Sequence, residues 1–333
     1  MSTRASYPGI ARIDIAGFRR QDAEATRSIV ESIRAACEDV GFLILSGHGI
    51  PATVVDEAFA VTARFFDLNQ AEKDRWHPEG LSKQRGYHRV ASRGLAYTLD
   101  NAAPPDLRES LFMGPIDDHR ASYAHLPQAQ AAYWPNTTPT TPINVQAVLD
   151  PLYREFERLS SELLQLFALT LSMPPTYFTD KIDQHFSILG CHHYPALTDT
   201  PRPGQLRTGA HTDFGAMTIL AMTDADGGLE AQMPNGDWTG VKAQAGELVV
   251  NIGDMLARWT NDRWASTLHR VINPAKLNDA GSRRQSIGYF MHPNFDARVE
   301  CFPSCLGADD ASRYAVITAG EHILSKINKS HGD

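Results

Sequence analysis

The second half of the chain is a series of short β-like runs that are separated by turns rich in glycine, asparagine and aspartate. The runs are Met217–Met222, Glu247–Ile252, Thr267–Ile272, Gln285–Met291 and Arg298–Phe302. Many short strands at such intervals are typical of an antiparallel sandwich or barrel, since each strand must pair with others to bury its apolar face. We therefore predict a β domain over the back of the chain.

The first half is predominantly helical in pattern. The predicted elements are a strand over Ile10–Ile15, a helix over Asp22–Val40, a buried strand over Phe42–Leu45, a helix from Pro51 and a long helix over Ala147–Ser172. Apolar periodicity defines these helices, and two prolines after Ser172 stop the last one. Pro151 is predicted to lie in its first turn or to kink it. The segment 78–142 is rich in proline, glycine and polar residues, which predicts long loops with short strands.

Composition excludes several classes of protein. The 333 residues carry a net charge of -8, from 31 Lys and Arg against 39 Asp and Glu, which argues against a nucleic-acid or acidic-membrane surface. The four cysteines form no CxxC pair, and no run of about 18 apolar residues predicts a membrane span. We expect a cytoplasmic protein without nucleic-acid or membrane partners, and the oligomeric state stays open.

One His-x-Asp triplet stands at the mouth of a β run. His211 and Asp213 are two residues apart, so in an extended chain both side chains point to one face. His269 follows 56 residues later in another β-like run. Two histidines and one carboxylate match the facial triad of non-haem Fe(II) oxygenases, which leaves three positions for a bidentate cosubstrate and for O₂. The alternative is that these are unrelated surface polar residues.

A second pair of residues suits a dicarboxylate. Arg284 and Ser286 open a β run and share a face. A guanidinium holds a carboxylate through two hydrogen bonds, and a hydroxyl adds a third. A dicarboxylate that chelates iron at one end would need such an anchor at the other. The alternative is an arginine in a salt bridge at the end of a strand.

These motifs together resemble the Fe(II)/2-oxoglutarate dioxygenase superfamily, in the branch that includes isopenicillin N synthase. The matching segments are Gly41 through Pro51, Arg85-Gly86-Tyr87, His211 through Leu220, Gly228-Leu229-Glu230, Asn251 through Asp254, Trp259 through Asp262, His269-Arg270-Val271 and Arg284-x-Ser286. Each motif alone is weak, but the ordered set is specific and covers most of the chain.

The resemblance implies a double-stranded β-helix, or jelly roll, with a helical N-terminal region, in a fold that is mainly β with helices. Residues 1–140 would pack on the core, 141–180 would form a supporting helix, and 181–333 would form the catalytic core. His211, Asp213 and His269 would bind Fe(II), while Arg284, Ser286 and Tyr194 would hold 2-oxoglutarate. Many relatives have asparagine two positions before that tyrosine, where this chain has His192.

The family chemistry is the oxidation of a substrate by O₂ with decarboxylation of 2-oxoglutarate to succinate and CO₂. It requires no catalytic residue beyond the iron ligands, and ascorbate is an optional reductant. The substrate would be a small molecule, which could carry a carboxylate. The expected pocket residues are Arg89, Arg93, Phe112, Phe214, Leu229 and Phe290.

Three functions remain open. The first is a 2-oxoglutarate-dependent hydroxylase, desaturase or cyclase. The second is an oxidase of the isopenicillin N synthase type that needs no 2-oxoglutarate, since relatives can use the Arg-x-Ser motif for a substrate carboxylate instead. The third is a non-catalytic jelly-roll binding protein, against which the complete triad counts.

Overall fold

The computed structural model describes residues 9–78, 84–95, 104–225, 228–306 and 311–331. Its strands are β1 Ala11–Asp14, β2 Phe42–Ser46, β3 Gly86–His88, β4 Glu109–Met113, β5 Ile188–Tyr194, β6 Thr208–His211, β7 Met217–Met222, β8 Leu229–Gln232, β9 Trp238–Gly240, β10 Leu248–Ile252, β11 His269–Val271, β12 Arg284–Met291, β13 Arg298–Val299 and β14 Ile317–Thr318. Its helices are α1 Ala16–Arg19, α2 Ala23–Asp39, α3 Ala52–Phe66, α4 Gln70–Asp74, α5 Gln146–Thr170, α6 Thr179–Ile182, α7 Asp254–Trp259 and α8 Ala319–His331.

Two facing sheets form the β core. The larger has the strand order β1-β2-β10-β7-β12-β5-β4-β3, and the smaller has the order β6-β11-β8-β9. Apolar side chains of both sheets, among them Val249 of β10 and Val271 of β11, pack into one cluster between them. The predicted mainly β fold with helices and a jelly-roll core is confirmed, and the front of the chain adds β1 to β4 to the larger sheet.

The long helix α5 covers the outer face of the larger sheet. It buries a continuous apolar stripe that includes Phe156 and Leu163, and Tyr153 meets Tyr289 of β12 edge to face at 5.2 Å between ring centroids. Helices α2 and α3 pack against α5 in turn. Pro151 lies inside α5, beyond the predicted first turn, where it has no N–H to donate.

Alternation along β12 separates the core from the site. Ile287 and Tyr289 are fully buried on the helix side, whereas Arg284, Ser286 and Phe290 line a cavity on the other side. Antiparallel pairing then places Tyr194 opposite Arg284 and His192 opposite Ser286. The two-residue period of the strand therefore gives β12 a packing face and a functional face.

Several elements depart from the sequence predictions. β5 and β6 lie outside the predicted runs, and the expected run Arg298–Phe302 shortens to the two residues of β13. α8 also lies beyond every predicted helix. In the part of the chain that the structure describes, no helix has the length and apolar character that a membrane crossing would need.

A buried polar network joins α4 to the wall of the cavity. Lys73 Nζ lies 2.8 Å from Glu109 Oε2, with side chains 9% and 4% exposed. Tyr87 Oη also donates to Glu109 Oε2 at 2.5 Å, and His193 Nδ1 lies 2.7 Å from Oε1. Burial alone would raise the pKa of Glu109, but hydrogen bonds from His193, Lys73 and Tyr87 lower it. The carboxylate of Glu109 is thus charged, and its charged state in this buried position depends on these three partners.

Lys73→Met is expected to lower the free energy of unfolding by about 3 kcal/mol, because it leaves a buried carboxylate without its cation. Urea denaturation measures this. Arg298→Met is the matched control, since Arg298 and its partner Glu300 are 70% and 58% exposed and such a pair contributes less than about 1 kcal/mol. Equal losses in both variants would contradict a stabilising role for the buried network.

Candidate active site

The three predicted metal ligands meet between the two sheets. His211 of β6 and His269 of β11 are directly opposite each other in the antiparallel ladder, and Asp213 follows β6 by two residues. Asp213 Oδ1 lies 3.7 Å from His211 Nε2 and 3.6 Å from His269 Nε2. The ligand atoms of the three residues all lie within 4.8 Å of one another. Two imidazoles and one carboxylate at this spacing fit a divalent transition metal such as Fe(II).

Backbone carbonyls orient both imidazoles. His211 Nδ1 lies 2.8 Å from the carbonyl of Gly209, and His269 Nδ1 lies 3.0 Å from the carbonyl of Thr267. A carbonyl only accepts, so each Nδ1 carries the proton and donates it. The lone pair of each Nε2 therefore points towards the common centre, which is the arrangement that metal-binding histidines need.

The carboxylate of Asp213 is held from behind. Its Oδ2 accepts hydrogen bonds from Thr218 Oγ1 at 2.5 Å and from Asn251 Nδ2 at 2.7 Å. Burial alone would raise the pKa of Asp213, but His269, His211 and these two donors lower it. The carboxylate is therefore ionised, and its Oδ1 is presented to the two imidazoles.

The turn that carries Asp213 packs on the start of α7. The backbone N–H of Asp254 donates to the carbonyl of Asp213 at 2.8 Å, and Thr212 Oγ1 donates to Asp254 Oδ2 at 3.2 Å. A Cβ on Gly253 would lie 2.2 Å from the carbonyl oxygen of Gly215. Only glycine permits this approach, which explains how two distant motifs of the sequence meet at the site.

Arg284 lies on the larger sheet with its guanidinium aimed into the cavity. The side chain is buried, and its Nε and Nη1 have no hydrogen-bond partner among the residues that the structure describes. The guanidinium lies 4.9 Å from the ring centroid of Tyr194. Ser286 lines the same cavity. Buried donors without partners are costly, so this end of the cavity fits an anionic acceptor such as the distal carboxylate of 2-oxoglutarate.

The cavity that contains these groups has a volume of about 770 Å³. Every predicted pocket residue lines it: Arg89, Arg93, Phe112, Phe214, Leu229 and Phe290. Arg89 is 61% exposed and forms an ion pair with Asp74, so it lies at the mouth. The sequence did not single out Ile323 and Ile327 of α8, which also line the cavity; no local motif marks them.

Comparisons with known proteins agree with this geometry. A sequence model described as the 2OG-Fe(II) oxygenase superfamily matches residues 185–293, and one described as the non-haem dioxygenase in morphine synthesis N-terminal region matches residues 10–141. The chain is 32% identical to the 2-oxoglutarate-dependent dioxygenase citB of Monascus ruber, over 99% of this chain and 98% of that protein. It is 32% identical to the clavatol oxidase claD of Penicillium crustosum, over 96% of both.

Among solved structures, the chain resembles a full-length Neurospora crassa protein in complex with alpha-KG and thymine. The TM-score is 0.82 at 28% identity, over 97% of this chain and 98% of that chain. The chain belongs to the 2-oxoglutarate–Fe(II) oxygenase superfamily. It is an Fe(II)- and 2-oxoglutarate-dependent oxygenase, and hence an enzyme rather than a binding protein without activity.

Proposed function

We propose that the enzyme oxidises a small molecule at an Fe(II) centre held by His211, Asp213 and His269. The observation that carries this proposal is the convergence of two Nε2 lone pairs and one ionised carboxylate oxygen in a buried cavity. When bound there, Fe(II) and 2-oxoglutarate supply the chemistry of O₂ activation and substrate oxidation. The protein then has to position the reactants and to limit the access of water, and it does not have to supply a separate nucleophile or general base.

We assign the distal carboxylate of 2-oxoglutarate to Arg284, with Ser286 and Tyr194 beside it. Arg284 supplies two donors that lack partners among the described residues. Tyr194 is 3% exposed and lies opposite Arg284 in the strand register. A rigid anchor at this end fixes the cosubstrate before the substrate binds. Orienting the cosubstrate then costs little free energy at the moment of reaction.

The protein also limits access of water to the centre. Phe214, Leu229 and Phe290 are part of the cavity wall, and α8 contributes Ile323 to it. Lys326 Nζ of α8 lies 2.6 Å from Asp254 Oδ2, which ties this helix to the start of α7, against which the turn with Asp213 packs. Exclusion of water from such a site suppresses side reactions.

The finer assignments have separate support. The ordered N-terminal and C-terminal motifs favour the isopenicillin N synthase-like branch. The proposed division at residues 140 and 180 follows the order of elements, in which loops are followed by α5 and α5 by β5. A cytoplasmic location stays a prediction. Curated relatives are named as 2-oxoglutarate-dependent dioxygenases, as 2-oxoglutarate-Fe(II) type oxidoreductases and as hydroxylases, such as the homoarginine-6-hydroxylase of Oryza sativa, while claD is named as an oxidase. Those names favour hydroxylation or a related oxidation over the alternative oxidase that needs no 2-oxoglutarate.

A succinate assay separates these two reactions. We expect the Fe(II)-loaded protein to convert 2-oxoglutarate to succinate and CO₂ in the presence of O₂, and to do so slowly without substrate when ascorbate supplies the two electrons that reduce the second oxygen atom to water. His125→Ala, which removes an exposed histidine, should behave like the wild type. Oxygen uptake that is independent of 2-oxoglutarate and yields no succinate would favour the alternative oxidase.

A further inference from the structure

The charge inside the cavity has the opposite sign to the charge of the chain. Among the described residues that line it, four are arginines, namely Arg89, Arg93, Arg108 and Arg284, and only Asp213 is a carboxylate. The whole chain carries -8. The proposed function uses Asp213 for iron and Arg284 for 2-oxoglutarate, and Arg89 is engaged by Asp74 at the mouth. The other arginines lie in the part of the cavity that is left for the substrate.

Arg108 is held in position by two neighbouring side chains. Its side chain is 12% exposed, and its Nε lies 3.4 Å from Asp106 Oδ2. Asp106 is itself fixed, because its Oδ1 accepts from the backbone N–H of Gly209 at 2.9 Å. Arg108 Nη1 lies 2.9 Å from His192 Nδ1. These contacts engage Nε and Nη1, which leaves Nη2 as the donor that a ligand can use.

Contact with His192 places Arg108 on the functional face of the sheet. Ser110 of β4 lies opposite His192 of β5, and Ser110 Oγ is 2.8 Å from His192 Nδ1. Arg108 stands directly before β4, and the contact of its Nη1 with His192 Nδ1 places its guanidinium on the same face. The imidazole of His192, at the position where many relatives have asparagine, thus supports the guanidinium and lines the cavity beside it.

Flat side chains form the wall next to Arg108. Phe112 meets His88 at 5.7 Å and His192 at 5.4 Å between ring centroids, and His192 meets Phe290 at 6.3 Å, all edge to face. Both imidazoles are neutral. Burial, followed by the charge of Arg93, lowers the pKa of His88 to about 3, and burial followed by Arg108 lowers the pKa of His192. The wall is therefore uncharged and aromatic.

Two details of this wall favour the binding of a ligand next to it. A Cβ on Gly190 would lie 2.7 Å from the ring of Phe112, so glycine lets that ring lie close against the sheet where it lines the cavity. His88 is 4% exposed and lines the cavity, yet its Nε2 has no hydrogen-bond partner among the described residues. Because an unpartnered buried imidazole nitrogen is costly, a ligand that satisfies it has to carry a hydrogen-bonding group in addition to a planar body.

We propose that Arg108 binds the carboxylate of the substrate, and that a planar unsaturated or aromatic body of that substrate lies against His88, Phe112 and Phe290. The inference rests on the proposed function, since it takes Arg284 to be occupied by 2-oxoglutarate. A carboxylate matches the planar guanidinium and forms short charge-assisted hydrogen bonds with it. Aromatic rings prefer the edge-to-face and offset contacts that this wall offers.

Matched pairs of ligands test the proposal. Benzoate, phenylacetate, cinnamate and 2-naphthoate, and the primary amide of each, are titrated by calorimetry into the protein loaded with Fe(II) and 2-oxoglutarate without oxygen. At least one carboxylate is expected to bind ten times or more tightly than its amide. Cyclohexanecarboxylate, which has the charge without the planar ring, is expected to bind more weakly than benzoate. Each carboxylate that binds is also expected to accelerate succinate formation or oxygen uptake when O₂ is admitted.

Substitutions then assign the preference to a residue. Arg108→Gln is expected to lose the tenfold preference for carboxylate over amide, and Arg108→Lys to retain part of it, because lysine keeps the positive charge but not the fixed position of Nη2. Arg298→Gln, on the exposed surface, is the control and should keep the full preference. The 2-oxoglutarate dissociation constant of Arg108→Gln, measured in a separate anaerobic titration of the protein loaded with Fe(II) alone, should stay within threefold of wild type, which shows that the variant is folded.

Three results would overturn the inference. They are equal binding of carboxylates and amides, absence of binding by every carboxylate of the panel, or an unchanged preference in Arg108→Gln. These results are distinct from a failure of the proposed function, in which 2-oxoglutarate itself neither binds nor yields succinate.

Discussion

Replacing His211 or His269 with alanine is expected to abolish tight Fe(II) binding and with it substrate oxidation. In the proposed metal centre each imidazole would supply one of the three protein ligands, and its Nε2 is aimed by a hydrogen bond from Nδ1 to a backbone carbonyl. Loss of a residue that merely orients a ligand typically costs 10 to 100-fold in metal affinity, so loss of a ligand should cost more than about 100-fold. Product formation should fall below about 1% of wild type.

Anaerobic titration with Fe(II) measures this loss directly. His125→Ala is the matched control, because it removes an exposed histidine outside the predicted site and should leave the iron affinity unchanged. Thermal unfolding of the variants without metal shows whether they remain folded. Wild-type affinity for Fe(II) in both His211→Ala and His269→Ala would refute the assigned metal centre.

Replacing Arg284 is expected to have the second largest effect, which is a loss of affinity for 2-oxoglutarate. Hydrogen bonds to charged groups contribute about 1.5–3 kcal/mol, so Arg284→Met should weaken the binding of 2-oxoglutarate by roughly 10 to 150-fold. Arg284→Lys keeps the charge but loses the planar fork, so its dissociation constant should lie between those of Arg284→Met and the wild type. Iron binding should persist in both variants, since Arg284 is not among the three residues that could hold the metal.

The neighbouring Arg283 provides the control for that experiment. It lies 2.8 Å from His193 and from Asp67 and does not line the cavity, so Arg283→Met should bind 2-oxoglutarate as the wild type does. A dissociation constant for Arg284→Met within threefold of wild type would contradict the anchor. An equal loss in Arg283→Met would point to a general effect on β12 instead.

The sequence predicts the metal ligands better than it predicts how they meet. His211 and Asp213 share a face because of strand periodicity, which is a local property. Their approach to His269 depends on the register of β6 and β11, and register between strands so far apart in the chain is not encoded in either run alone. The ordered resemblance of motifs supplied that missing information.

Other features lay beyond sequence reasoning for physical reasons. β5 contains Gly190 and two consecutive histidines, which are poor signals for a strand, and central pairing with β4 and β12 overrides that weak local preference. Arg108 stands in an irregular segment before β4, and its contact with His192 spans 84 residues. The pocket residues predicted from the sequence therefore include Arg89 and Arg93, whose roles stay predictions, and do not include Arg108.

The central claim is that one cavity holds Fe(II) on the triad and 2-oxoglutarate on Arg284. Addition of 2-oxoglutarate to the anaerobic Fe(II)-loaded protein tests it, because a keto acid that chelates iron gives a visible metal-to-ligand charge-transfer absorption. We predict a band that saturates at one 2-oxoglutarate per iron in the wild type, requires much higher 2-oxoglutarate in Arg284→Met and is absent in His211→Ala. A wild-type protein that binds Fe(II) yet shows no band at saturating 2-oxoglutarate would contradict the account.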